Sequence, residues 1–481
     1  MEITIKQLEE LWSRQASTRS KMETRRKYYE GKHAIVGRNA TYADGVTASE
    51  IVTNWAEYAI DSYVGALTST PYQVTVDGED GSKSGVEMYA EIAKDNQLAA
   101  ADVENLRNAL VCGFGVETHE FVKGKVIITS HDPLQWLLLW DADDSLVAAV
   151  RRVALPVGTV FEDQVLETKV ELMTVYLEDR IEDWINKGQD WVAANEPRRH
   201  SYGRPPVVVW RVNRSRTSII TDALIGQMDE YNDIDTITGD DIRNNTNSKL
   251  TICGCDANWL MDNAEKINKL NMLPLPQGAS AEYLTKGNDV ERVRDRLQRT
   301  RDHIHTMFKV PDIQAILGAT GAASGIALRL KFQPMMHRAS SMINWLKAGM
   351  EDRIALVNAM LGKASKEVLE GFTVTIQFVL PTNRTEEWQA IGSLKGVVSH
   401  RTQLELLSDI DDPERELEEV RKEQPPLTAE DQIAQSDALA NRAAVDIGQV
   451  AMEAIQAAAD GILDSLVNTG ALERLTAARQ N

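Results

Sequence analysis

Two long helical patterns of opposite charge, separated by a short insertion, constrain this chain more than any other feature. Residues 217–247 place apolar side chains at three- and four-residue steps and carry acids on their other faces. Residues 288–309 have the same period but are rich in arginine. Such helices pair as a hairpin within one chain or between copies in a ring, or they keep solvated charged faces. The apolar stripe predicted for the first helix is Ile220, Leu224, Met228, Tyr231, Ile234, Ile237 and Ile242.

The segments on either side predict an α+β fold that is mainly α. Helical periods cover 1–30 and 86–113, and short β-branched runs follow up to residue 212. A third long helix is predicted from Ser324 to Leu361, with a kink at Pro334. The run "FTVTIQFVLPTN" after it reads as a strand closed by Pro381.

The formal charge of −20 excludes binding of nucleic acid by bulk attraction, because DNA-binding surfaces are basic. A local basic patch, or a wall that encloses DNA without gripping it, remains compatible with this charge. The cysteines Cys112, Cys253 and Cys255 are too few for a disulfide scaffold and fit a reducing cytosol. The sequence predicts no membrane span and no targeting peptide.

The glycine-rich stretch "LGATGAASGIALRLKF" at 317–332 raises the question of a phosphate-binding loop. Such a loop needs a lysine directly after its last glycine and a strand before its first. Ile326 stands in the lysine position, and a helical pattern precedes the stretch. The stretch therefore predicts a flexible or sharply turning loop, with Ser324 as the N-cap of the next helix.

Candidate chemistry is weak. "CGCD" at 253–256 has no second cysteine pair, which favours a turn over a metal site. The acids "DADD" (141–144) and "DIDD" (409–412) are compatible with a metal-dependent nuclease or phosphotransferase, and equally with turns and caps. No catalytic arrangement, cofactor site or metal site is predicted, and the chain is not expected to be an enzyme.

Six short patterns, in order along the chain, resemble the portal (head-to-tail connector) proteins of tailed bacteriophages, of the type found in siphophages of Gram-positive hosts. The strongest match is the fourth of these patterns, in which a helical segment is followed by V-P-D, a loop and S-G-x-A-L-[RK]. The six are "RRKYYEGKH", "NWAEYAIDSYVGALTSTPYQV", "LIGQMDEYNDIDT", "FKVPDIQAILGATGAASGIALRLKF", "FTVTIQFVLPTNRTEEW" and "GVVSHRTQLELLSDIDDPERELEEVRKEQ".

The resemblance implies a portal fold with a division of the chain into named parts. The long helices would form the stem, the insertion the clip and the glycine-rich stretch a tunnel loop. The implied parts are wing (1–216), first stem helix (217–247), clip (248–287), second stem helix (288–309), tunnel loop (310–324), wing again (325–396) and helical crown (397–481).

The resemblance also implies roles for individual residues. Copies would form a dodecameric ring, with the tunnel loops fringing its DNA channel. The loop residues expected to face DNA are Gly318, Thr320, Gly321, Ser324 and Gly325. Arg329 and Lys331 are candidate DNA contacts, and the stem residues expected between subunits are Asp229, Asp233, Arg294 and Arg299.

The function implied by the resemblance is that of a channel at one capsid vertex through which double-stranded DNA is packaged and ejected. The implied partners are other copies of the chain, the DNA, the terminase large subunit, the major capsid and scaffolding proteins, and a head-completion or adaptor protein, with no membrane. The implied location is the virion, with assembly in the host cytoplasm.

Overall fold

The structure is a computed structural model of the 481-residue chain. It describes residues 4–42, 47–76, 83–161, 164–166, 168–186, 188, 190–245, 250–254, 256, 258–259, 261, 275, 277–283, 290–313, 325–363, 368–379, 391–392, 398–405, 416–417 and 419–420.

The chain divides into two compact units, Met1–Pro381 and Thr382–Asn481. In the second unit, Ser399 caps the short helix His400–Glu405 by accepting a hydrogen bond from the Thr402 amide at 3.2 Å. The first unit contains the two oppositely charged helices and everything described below.

The N-terminal part of the first unit is helical. The helices are Ile5–Arg14 (α1), Ala16–Tyr29 (α2), Trp55–Thr68 (α3), Lys83–Asp95 (α4) and Leu98–Cys112 (α5). The single helix predicted over 1–30 is wrong, because Gln15 leaves the helical conformation and separates α1 from α2. The helix predicted over 86–113 is likewise two helices, because Gln97 adopts the left-handed conformation (φ +52°).

The described strands of the unit pair in antiparallel sheets. The strands are Gln73–Val76 (β1), Phe114–Val122 (β2), Lys125–His131 (β3), Trp136–Trp140 (β4), Leu146–Leu155 (β5), Val160–Phe161 (β6), Gln164–Val165 (β7), Val170–Tyr176 (β8), Arg180–Asn186 (β9), Trp191–Ala193 (β10), Arg198–Arg199 (β11), Val207–Arg211 (β12), Leu250–Cys253 (β13), Ser280–Tyr283 (β14) and Phe372–Thr375 (β15). A three-stranded sheet has the order β12-β2-β3, and a second sheet has the order β10-β9-β8-β5-β4 with β11 also paired to β9. The further pairs are β1 with β15, β6 with β7, and β13 with β14.

Three long helices complete the unit, as the sequence predicts. They are Asp222–Asn245 (α6), Val290–Phe308 (α7) and Gly325–Lys363 (α8), and Pro334 lies inside α8. The strand after α8 is shorter than predicted, since residues 376–379 follow β15 without strand structure.

The core of the first unit is built around α8. Its apolar face is buried as the sequence predicts, and Gly349 lets it approach β12 so closely that a Cβ there would lie 2.9 Å from the Trp210 ring. The buried residues on this face are Phe332, Met335, Ala339, Met342, Leu346, Met350, Ile354, Val357 and Met360.

A charged network lies inside this core. Arg353 of α8 is fully buried and donates to Glu117 of β2 at 2.7 and 2.8 Å and to Asp102 of α5 at 2.6 Å. Burial alone would raise the pKa of Glu117, but the Arg353 charge and hydrogen bonds hold it well below its usual range. Asn105 and His119 occupy the remaining positions around the same carboxylate, at 3.0 Å each. The network ties α8 to one register on the sheet and on α5.

We expect Arg353→Ala to lower the free energy of unfolding by about 3–5 kcal/mol, because it leaves Glu117 and Asp102 buried without their cation. The matched control is Asp352→Ala on the same helix, whose ion pair with Arg204 is partly exposed (2.8 Å) and contributes at most about 1 kcal/mol. Urea-induced unfolding measures both changes. Equal effects of the two substitutions would contradict the structural role given to the network.

Candidate functional site

The two oppositely charged helices pack against each other within one chain. Arg296 of α7 donates to Glu230 of α6 with its Nε at 2.9 Å. The intrachain pairing, one of the arrangements left open by the sequence, is therefore present. Side chains 291–299 of α7 are exposed or half-buried, whereas Thr300, Ile304 and Phe308 are buried against the rest of the unit.

One face of α6 is buried from Leu224 to Asp240, and that face turns polar after Met228. The residues on it follow every fourth position: Leu224, Met228, Asn232, Thr236 and Asp240. The apolar stripe predicted from the sequence is wrong in this half, because Ile237 and Ile242 expose 54% and 62% of their surface. The reason is that the partner of this face is backbone, which needs hydrogen-bond acceptors.

That partner is the belt, defined as residues 28–42 and 47–54, which lies across α6. The Thr53 amide donates to Asn232 at 3.0 Å, the Ile51 amide to Thr236 at 3.2 Å and the Ser49 amide to Asp240 at 2.8 Å. From one of these hydrogen bonds to the next, the donor moves two residues back along the belt, whereas the acceptor moves four residues forward along α6. The steps match because four helical residues rise ~6 Å and two extended residues span ~6.6 Å.

Asp240 is the most heavily bonded of these acceptors. It also accepts from the hydroxyl of Ser49 at 2.6 Å and from the hydroxyl of Tyr42 at 3.0 Å. The Ser49 hydroxyl and amide, together with Tyr42, lower the pKa of Asp240. Asp240 is therefore an anion at neutral pH and fixes the position of the belt with its charge.

At the other end of the belt, a buried histidine joins α2 to α6. His33 Nε2 lies 3.0 Å from the carbonyl oxygen of Tyr28, and its Nδ1 lies 2.9 Å from Nδ2 of Asn232. An imidazole that donates from Nε2 and accepts at Nδ1 satisfies both contacts and is neutral. Burial lowers the pKa of His33, which agrees with this neutral form.

The stem acids predicted to lie between subunits have partners in the belt. Both carboxylate oxygens of Asp229 accept from the hydroxyl of Tyr28, at 2.7 and 2.8 Å, and Asp233 pairs with Arg38 at 2.7 Å. These contacts give both acids an intramolecular role, and their contact with a neighbouring copy stays a prediction. Arg294 and Arg299 are exposed on α7, and the Arg299 Nε donates to the Asp295 carbonyl at 3.3 Å.

The residues predicted to face DNA are placed only in part. Gly318, Thr320, Gly321 and Ser324 lie outside the described residues. Gly325 is the first residue of α8, in whose first turns Arg329 and Lys331 also lie, with the Lys331 side chain exposed.

The acids considered for metal chemistry form a turn between β4 and β5. Asp141 accepts from the amides of Asp143 and Ser145 at 3.0 and 2.8 Å. Asp144 pairs with Arg216 and, at 2.7 Å, with Arg211, and their hydrogen bonds lower its pKa. The turn role suggested by the sequence accounts for these acids. The acids at 409–412 lie outside the described residues.

In the part of the chain that the structure describes, no three His, Cys, Asp or Glu side chains are grouped to hold a metal ion. Cys253 ends β13 with its side chain exposed, and Cys255 is not among the described residues. Nor does any described helix have the length and apolar character that crossing a membrane requires.

Sequence reasoning missed the belt and its acceptors on α6. A signal was present, since Asn232, Thr236 and Asp240 continue the four-residue spacing of Leu224 and Met228. Buried polar residues at helical spacing indicate a partner with unpaired N–H groups.

We expect Asp240→Ala to destabilise the protein by about 2–3 kcal/mol, because the Ser49 amide and hydroxyl lose their acceptor. The control is Asp235→Ala, which removes a carboxylate from a different position of α6 where it accepts no hydrogen bond from the belt. Urea-induced unfolding compares the two. A loss for Asp240→Ala no larger than that for Asp235→Ala would show that the belt does not depend on this acceptor.

The neutral state of His33 predicts a pH dependence. Its folded-state pKa is depressed, so as the pH falls below about 6.5 the unfolded chain binds a proton that the folded chain does not. Stability contributed by this site therefore decreases with falling pH, by up to about 1.4 kcal/mol per pH unit. We expect His33→Gln to remove this part of the slope in urea unfolding between about pH 7.5 and 5.5. The control His337→Gln, at an exposed position of α8, should keep the wild-type slope.

Comparison with known proteins finds one family whose model matches this chain and solved structures that are similar to it. The model of the family described as "Phage portal protein, SPP1 Gp6-like" matches residues 8–425. A search of curated proteins finds no match. A chain from the neck of an empty GTA particle, computed with C6 symmetry, is 13% identical, with 74% of this chain and 90% of that chain covered and a TM-score of 0.43. A chain from the neck of a native GTA particle, computed with C12 symmetry, is also 13% identical, with 74% and 89% covered and a TM-score of 0.41.

The family match extends over most of the chain, including α6, α7, α8 and the belt. The chain belongs to the SPP1 Gp6-like family of phage portal proteins.

Proposed function

We propose that copies of this chain close into a dodecameric ring at one capsid vertex and that its bore is the channel for double-stranded DNA during packaging and ejection. Family membership supports the portal role. The single observation that carries the ring proposal is the packing of α6 against α7, because the belt already covers the polar face of α6. Residues 291–299, which we call the outer half of α7, are exposed or half-buried and are available to a neighbouring copy.

The contact between copies is proposed to be electrostatic and heterologous. Arg294 and Arg299 lie exposed on α7. On the α6 side, Asp233 still exposes 41% of its side chain beside Arg38, so it has room for a second cation. Each exposed ion pair contributes only about 0–1 kcal/mol, so the proposed role of these charges is to align neighbouring copies with each other. A closed ring repeats the same ion pairs at every interface between copies.

The proposed channel guides DNA without binding it tightly. A chain of net charge −20 gives a ring that repels phosphate overall. The stretch 310–324 is proposed as the tunnel loop, with Gly318, Thr320, Gly321, Ser324 and Gly325 near the duplex. Arg329 and Lys331 would give weak, salt-sensitive contacts with phosphate.

The remaining assignments follow from the portal role. The parts of the chain are proposed as wing (1–216 and 325–396), stem (217–247 and 288–309), clip (248–287) and crown (397–481). The ring would dock the terminase large subunit, meet the major capsid and scaffolding proteins, and receive a head-completion or adaptor protein. Assembly in the cytoplasm of a Gram-positive host belongs to the same proposal, and ATP hydrolysis would belong to the terminase.

Negative-stain electron microscopy of the purified protein tests the ring. We expect wild-type particles with a central hole, and fewer of them for the double variant Arg294→Glu, Arg299→Glu, because reversed charges repel the neighbouring α6. The control Lys6→Glu, Lys21→Glu makes the same change in net charge on α1 and α2 and should keep the rings. Compact particles without a hole at high wild-type concentration would contradict the proposal.

A further inference from the structure

At the end of α7 and just after it, the backbone carbonyl groups accept hydrogen bonds from side chains. We call residues 307–313 the loop root, because they lead from α7 into the stretch 314–324. The last carbonyls of a helix have no partner within it. Lys309 then takes the left-handed conformation (φ +58°), which turns the chain away from the helix axis.

Side chains from three helices donate to these carbonyls. From α3, the hydroxyl of Tyr63 donates to Phe308 at 3.0 Å and that of Tyr58 to Pro311 at 3.4 Å. From α7 itself, His305 Nδ1 lies 3.1 Å from the Val310 carbonyl oxygen, a contact it makes as an N–H donor. The loop root is therefore bonded to the body on several sides.

The third helix contributes the cation. Arg338 of α8 donates with Nη1 to the carbonyl of Phe308 at 3.2 Å and lies 3.4 Å from that of Met307. Its guanidinium also lies 5.9 Å from the centre of the Tyr63 ring. A positive charge at the C-terminus of a helix interacts favourably with the helix dipole, and here the charge comes from a different helix.

An ion pair fixes the far end of the loop root. Arg301 of α7 pairs with Asp312 at 2.8 Å, and its guanidinium lies 5.7 Å from the Trp55 ring centre. Trp55 also meets His305 edge-on at 5.2 Å between ring centres. From residue 307 to residue 312, the segment is thus anchored at both of its ends.

We propose that Arg338 is a positioning residue that locks the loop root to α8, so that the stretch 314–324 starts from a fixed base. The helix in which Arg338 lies begins directly after that stretch, but Arg338 itself lies ~20 Å along the helix axis from Gly325. The lock therefore fixes the α7 end of the stretch to the body of α8. That this loop faces DNA rests on the proposed function, whereas the lock itself does not.

Hydrogen–deuterium exchange on the purified full chain tests the lock. The Lys309 amide donates to Thr306 and the Val310 amide to His305, both at 3.2 Å. We expect Arg338→Gln to speed exchange of these two amides about tenfold, because a hydrogen bond from a charged donor is lost. Arg338→Lys keeps the cation and should exchange at an intermediate rate.

The matched control is Lys347→Gln, which removes a cation from the same helix at a position where the described residues give it no partner. It should leave both amides at the wild-type rate, and the Val116 amide in β2 should keep its rate in every variant. Tyr63→Phe removes the other donor to Phe308 and should also speed exchange at Lys309 and Val310.

The lock would be overturned by unchanged exchange at Lys309 and Val310 in Arg338→Gln, by equal acceleration in Lys347→Gln, or by Arg338→Lys exchanging as fast as Arg338→Gln. Failure of the ring proposal is distinguishable, because absence of rings in the microscope leaves these exchange rates unaffected. Rings with unchanged exchange would refute the lock alone.

Discussion

The amide groups of residues 49, 51 and 53 have no sheet to join, and the polar face of α6 provides their acceptors. Because backbone donors cannot be buried without partners, this contact fixes both the path of the belt and the position of the helix. Once α6 is fixed, α7 has a surface to pack on. The outer half of α7 then stays exposed, and the ring contact is proposed for that half.

The molecule uses charge in two different ways. In the core, Arg353 with Glu117 and Asp102 gives α8 a single position, because each buried ion requires its partner. At the surface, the exposed arginines of α7 are screened by solvent and contribute little energy individually. The buried charges make the body of the protein rigid. The weak exposed charges are suited to the proposed contacts between many identical copies, which must form during assembly.

The Arg338 contact relates these parts to the proposed channel. The loop of interest begins where α7 ends and finishes where α8 begins, and Arg338 connects those two helices at the carbonyl of Phe308. The segment from which that loop starts is therefore held to the packed core around α8.

Periodicity predicted the three long helices well, because an apolar face such as that of α8 leaves a clear repeat in the sequence. Periodicity failed where the structure depends on something other than the spacing of apolar residues. Gln15 and Gln97 break helices without glycine or proline, and Arg353 reads as a solvated cation although it is buried. The acceptors on α6 were missed because a polar residue at helical spacing is usually exposed. The partner of that face lies about 190 residues away in sequence, and no local pattern encodes such a contact.

The central claim is that each copy holds its own α6 with its own belt and offers the outer half of α7 to its neighbour. A density map of the assembled protein by cryo-electron microscopy, at a resolution that resolves side chains, tests this most directly. We expect a closed ring in which Thr53, Ile51 and Ser49 contact Asn232, Thr236 and Asp240 of the same chain, with Arg294 and Arg299 facing the adjacent copy. A ring in which the belt crosses to another copy's α6, or one in which both arginines face solvent, would contradict it.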